Sequence, residues 1–81
     1  MRVTVRLFAR LRDLVGAGEL PLDVPAGSSV ATVWQTLVRQ HSTIAQYEAS
    51  MSCAVNADFA RMTTAVNDGD EVAFLPPVSG G

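Results

Sequence analysis

The sequence predicts an α+β fold, a mixed sheet of four to five strands packed on one main helix. Three observations carry that expectation. Apolar and polar residues alternate in several short runs, one stretch has a single helical stripe, and 81 residues hold one core and little more.

Residues 2–8 read as the first strand. Val3, Val5 and Leu7 point one way, and Arg2, Thr4 and Arg6 the other. Gly16-Ala17-Gly18 breaks the chain, and 19–24 alternate again with Leu20, Leu22 and Val24 in phase. Together the two strands read as a hairpin with an Arg-rich connection. Pro21 offers no ladder hydrogen bond, so the second strand belongs at an edge. Ser28 and Ser29 are both N-cap candidates for a helix running to about Gln40. Its buried stripe is Val30, Val33, Trp34, Leu37 and Val38. Residues 41–50 are compatible with a short second helical turn. Met51–Asn56 reads as a strand, Asn56-Ala57-Asp58 as a turn, and Phe59–Met62 as a short strand. Asn67-Asp68-Gly69-Asp70 is a turn before the last strand, Glu71–Leu75, which Pro76 and Pro77 stop. One helix on one mixed sheet in this order is the pattern of a ubiquitin-like β-grasp. The expected division is a domain at 1–75 and an extended, flexible C-terminal tail at 76–81.

Composition narrows the function. One Cys and one His, Cys53 and His41, leave no internal disulfide and no multi-ligand metal site, so no metal is expected. Net charge is −2, which argues against a nucleic-acid binder. No apolar run reaches the length of a membrane span, and the charged, alternating start does not read as a signal peptide. No membrane partner is expected and the expected location is the cytoplasm. All six basic residues are Arg, four of them in the first twelve positions. That cluster reads as a solvated strand face or as a steering patch for an acidic partner. Cys53, in phase with Val55, reads as a buried strand cysteine, Trp34 as core, and His41 as a surface residue or a partner of the helix dipole.

The tail is the functional signal. Pro76-Pro77-Val78-Ser79-Gly80-Gly81 has nothing to pack a core. Extended, six residues span roughly 20 Å. The two prolines stiffen its base, and the two glycines remove every Cβ from its tip. Such a segment fits a narrow channel in another protein and delivers a main-chain carboxylate there. A carboxylate is a poor electrophile, so the chemistry calls for adenylation by ATP, followed by attack of sulfur or of an amine. Phe8 and Leu75 are out of phase with the buried residues of their strands and lie on the sheet face the helix leaves open. An exposed apolar patch beside the tail is a docking surface. Phe59 is its possible third member.

The run Phe8-Ala9-Arg10-Leu11-Arg12-Asp13-Leu14-Val15-Gly16, the strand Ala54-Val55-Asn56 and the C-terminal stretch from Asp68 to Gly81 resemble the MoaD-type sulfur carriers of the MoaD/ThiS family, the small subunits of molybdopterin synthase. The resemblance spans the whole chain and is most specific over the last fourteen residues. It implies that Gly81, with Gly80 before it, is adenylated by an E1-like enzyme using ATP and Mg²⁺, with no cofactor held by the chain itself. A sulfur donor then converts Gly81 to a thiocarboxylate. It further implies that the tail (Pro76, Pro77, Val78, Ser79) enters the large catalytic subunit of a heterotetramer, where sulfur passes to cyclic pyranopterin monophosphate in molybdenum cofactor biosynthesis. On this reading the chain is the sulfur-carrying half of a sulfurtransferase, and the active site lies on the large subunit. The contact surface implied is Phe8, Phe59 and Leu75. Three other readings stay open: a carrier for a thiazole-type pathway, a ubiquitin-like protein modifier, and a binding module with an inert tail. The chain has no Lys, so it forms no Lys-linked chains of itself.

Overall fold

A computed structural model describes residues 1–77. Its elements are β1 (Arg2–Leu7), α1 (Ala9–Val15), β2 (Glu19–Asp23), α2 (Val30–Gln40), a 3₁₀-helix (Ser42–Ser50), β3 (Ser52–Val55), β4 (Asp58–Ala60) and β5 (Glu71–Leu75). The strands form one sheet in the order β2-β1-β5-β3-β4. The central pair, β1 and β5, is parallel, and the other three pairs are antiparallel. This is the expected mixed sheet. It has the β-grasp order and five strands.

Alternation on the strands builds the core. Val3, Val5 and Leu7 of β1 and Val72 and Phe74 of β5 are all buried, as are Val30, Val33, Trp34 and Leu37 on the inner stripe of α2. Register pairs Val5 with Val72 and Leu7 with Phe74, so the two central strands present one apolar surface to the helix. Trp34 packs on Phe74 with ring centroids 5.0 Å apart at 56°, a tilted pairing favoured by aromatic quadrupoles. Removing either ring costs about 3–5 kcal/mol. β2 is an edge strand, as Pro21 requires.

Three local expectations are corrected. The connection between the first two strands is not a bare turn but the helix α1. β1 ends at Leu7. Ala9 then takes a positive φ of 50°, which turns the chain out of the strand direction and drops Leu11 into the core. Gly16 closes the helix at φ 86°, its N–H donating to the Arg12 carbonyl at 2.8 Å, a left-handed cap that suits glycine. Neither Ser28 nor Ser29 caps α2 through its side chain. The Ser28 hydroxyl donates to the Pro25 carbonyl at 2.6 Å, and Ser29 occupies the cap position without a side-chain bond. The first helical amides, Val30 and Ala31, instead donate to the carbonyls of Thr64 and Met62, both at 2.9 Å. The loop between β4 and β5 thereby satisfies donors that a cap would otherwise take. Within 41–50, Ser42–Ser50 form nine residues of 3₁₀-helix, longer than the single turn expected.

Candidate functional site

β5 ends at Leu75 because Pro76 has no N–H to continue the ladder. The parallel register sets Leu7 beside Phe74, which brings Phe8, the next residue on β1's path, level with Leu75. Phe8 is itself the residue before α1, so the sharp turn at Ala9 holds its ring at the end of the sheet. From the other side the 3₁₀-helix delivers Tyr47. The outcome is an open hollow of about 630 Å³ lined by Phe8, Ala9, Arg10, Tyr47, Leu75, Pro76 and Pro77. It lies at the root of the tail.

Four residues expected from sequence, Phe8, Leu75, Pro76 and Pro77, come together here. Phe59 does not. It is 87% exposed on β4, on the same open sheet face, in the register row Arg6, Ala73, Ala54, Phe59. β4 stands two strands beyond β5, a lateral step of roughly 10 Å, so Phe59 is a separate apolar point at the far edge. Val78, Ser79, Gly80 and Gly81 lie outside the described residues. Ala9, Arg10 and Tyr47 were not expected. Tyr47 reaches the hollow through the 3₁₀-helix packing against α1 and α2, a long-range placement with no local spacing signal.

Charge around the site is ordered. The Arg6 guanidinium lies 5.5 Å from the centroid of the Phe8 ring, within cation–π range, and its Nη1 is 3.6 Å from Glu71 Oε1. At the opposite end of the sheet Arg2 Nε donates to Asp23 Oδ1 at 3.0 Å, and that bond holds the Asp23 carboxyl below its ordinary pKa. Asp70 is lowered as well, chiefly by the hydrogen bond from the Asn56 amide and then by that from the Asn67 backbone N–H. Cys53 is buried with its thiol 3.2 Å from the Ala60 carbonyl, and burial pushes its pKa up. It has the character of a packing residue rather than a nucleophile. Trp34 is fully buried core. His41 caps the end of α2 with its backbone N–H on the Leu37 carbonyl.

Comparison with known proteins agrees with this architecture. The ThiS family model matches residues 5–81. The molybdopterin synthase sulfur carrier subunit of Escherichia coli is 36% identical over 83 residues, covering 98% of this chain and 99% of that protein. Among solved structures, SAMP1, a small archaeal modifier protein from Haloferax volcanii, superimposes with a TM-score of 0.90 at 27% identity, covering all of both chains. A chain of the BexX/CysO complex of Amycolatopsis orientalis matches with a TM-score of 0.71 at 26% identity, covering 98% of this chain and 99% of that one.

Proposed function

The chain belongs to the ThiS family, and on that premise we propose that it is the sulfur-carrier subunit of a molybdopterin synthase. The observation that carries the reading is the full-length likeness to the E. coli sulfur carrier subunit, joined to a tail root that leaves the sheet beside an open apolar hollow. In this reading the main-chain carboxylate of Gly81 is the reacting group. Its oxygen attacks the α-phosphorus of ATP, held with Mg²⁺ by an E1-like activating enzyme, and pyrophosphate leaves. A sulfur donor at the sulfide level then attacks the acyl carbon. A C–S bond forms, the C–O bond to AMP breaks, and Gly81 becomes a thiocarboxylate. At the large subunit this sulfur bonds to a carbon of cyclic pyranopterin monophosphate as a C–O bond at that carbon breaks and the oxygen leaves with the electron pair. Water cleaves the acyl C–S bond and restores the carboxylate.

The chain's own part is presentation. Pro76 and Pro77 set the direction of exit, Val78 and Ser79 span the channel, and Gly80 keeps the approach to the acyl carbon free of a side chain. Phe8 and Leu75 dock the body against the large subunit, and Phe59 touches it at the far edge. The resemblance to a chain of the BexX/CysO complex supports a carrier that works bound to another protein.

The likeness to SAMP1 favours one second reading, in which activated Gly81 is joined to amines of target proteins. One experiment separates the two. The chain is incubated with its activating enzyme, ATP, a sulfide source and a cell extract as a source of target proteins, and the intact masses of its products are taken. Replacement of one oxygen by sulfur at Gly81 supports the carrier. Covalent adducts with other proteins and no thiolated species support the modifier.

A further inference from the structure

Among the described residues, Arg10 and Tyr47 are the only ones with polar side-chain groups lining the hollow. Of the four arginines near the start of the chain, Arg2 is paired with Asp23 and Arg6 with Glu71. Arg12 lays its methylenes along Gly18, where an added Cβ would come within 3.1 Å of its Cδ. Arg10 is exposed, at the mouth of the hollow, and among the described residues it has no carboxylate within ion-pair distance. The chain as a whole carries a net negative charge, so a cation unpaired among the described residues beside an apolar depression is a local reversal of sign. Whatever protein takes the tail must pass over this mouth, because Pro76 and Pro77 form part of its wall.

We propose that Arg10 recognises a carboxylate on the large subunit that receives the tail, placed beside an apolar side chain of that subunit which fills the hollow. The proposal rests on the carrier reading and adds to it the charge that sets which partner fits. A planar guanidinium takes a carboxylate in two parallel hydrogen bonds, which fixes orientation as well as attraction. The apolar contact supplies burial and the ion pair supplies register, a division seen wherever a charge rims a hydrophobic anchor.

The test is the affinity of the cognate large subunit for the wild-type chain, Arg10→Gln and Arg10→Lys, each at low and high salt, with the thiocarboxylate yield of the wild-type chain measured alongside. Arg10→Gln should bind about tenfold more weakly at low salt and lose most of its salt dependence, and Arg10→Lys should recover part of the affinity. Neither substitution should alter the thermal midpoint, since the side chain is at the surface. If Arg10→Gln binds as the wild type does while the wild type still gains sulfur, this proposal falls and the carrier reading stands. If the wild type binds the large subunit with the stated Arg10 dependence but gains no sulfur, the carrier reading falls and the docking contact stands. If the chain alone dimerises and Arg10→Gln abolishes the dimer, a second copy occupies the hollow and the proposal is overturned.

Discussion

The indole N–H of Trp34 donates to Oε1 of Glu48 at 2.8 Å, tying the fully buried centre of α2 to the exposed outer side of the 3₁₀-helix. The same nine-residue helix carries Tyr47 into the hollow at the tail root, one residue before Glu48. A core contact and a wall of the hollow therefore hang on neighbouring residues. Glu48→Ala strips the indole of its acceptor, at a cost of about 1–2 kcal/mol. Denaturant unfolding followed by Trp34 fluorescence measures it, and Glu48→Gln, which keeps an acceptor, should lose less.

The turn between β3 and β4 stores strain. Asn56 and Ala57 both have positive φ, 49° and 71°, the backbone of a two-residue primed turn. Asn tolerates that region and Ala does not. Ala57→Gly should stabilise the protein by about 1 kcal/mol, read as a thermal midpoint about 4–8 °C higher. Because Ala57 is exposed, no packing is lost to offset the gain.

Asp70 fastens the start of β5. Its Oδ2 accepts from the Asn67 N–H at 2.7 Å and its Oδ1 from the Asn56 amide at 3.0 Å, while Asn56 Oδ1 accepts from the Glu71 N–H. These bonds favour the charged form, so the folded pKa lies below the unfolded one. The resulting stability is present above an unfolded value of about 3.9 and is lost as pH falls through the folded value. Asp23, held down by Arg2, acts in the same direction. Unfolding midpoints measured across acid pH should fall below about pH 4, and Asp70→Asn should flatten that fall while lowering stability at neutral pH.

Cys53 is the one thiol in the sequence. Buried, and with its pKa raised by that burial, it should react with an alkylating reagent at neutral pH far more slowly in the folded chain than in denaturant. Cys53→Ala should leave sulfur loading intact. Loss of loading in that variant, with the fold retained, would make Cys53 a relay.

The strands and α2 were legible because their burial repeats with a short period. Val3, Val5 and Leu7, or Val30, Val33, Trp34 and Leu37, announce a face without any knowledge of the partner. The helix α1 was not legible. It has seven residues, one of them buried, and no side-chain cap, so its apolar stripe is too short to set a period. The grouping of Phe8 with Leu75 followed from phase on two strands, and it needed only that β1 and β5 be neighbours. The position of Phe59 needed the order β5-β3-β4, which arises from long-range pairing and leaves no mark on local spacing. Tyr47 and Arg10 enter the hollow through packing of helices whose contact no spacing encodes.

In the proposed function the main-chain carboxylate of Gly81 carries the sulfur. The most direct measurement is dithiolene product formed by the cognate large subunit with the full chain and with a chain ending at Gly80, both first treated with activating enzyme, ATP and sulfide. Product should form with the full chain and none above background with the shortened one, although both retain the same thermal midpoint. Equal product from the two would rule out Gly81 as the sulfur-bearing residue.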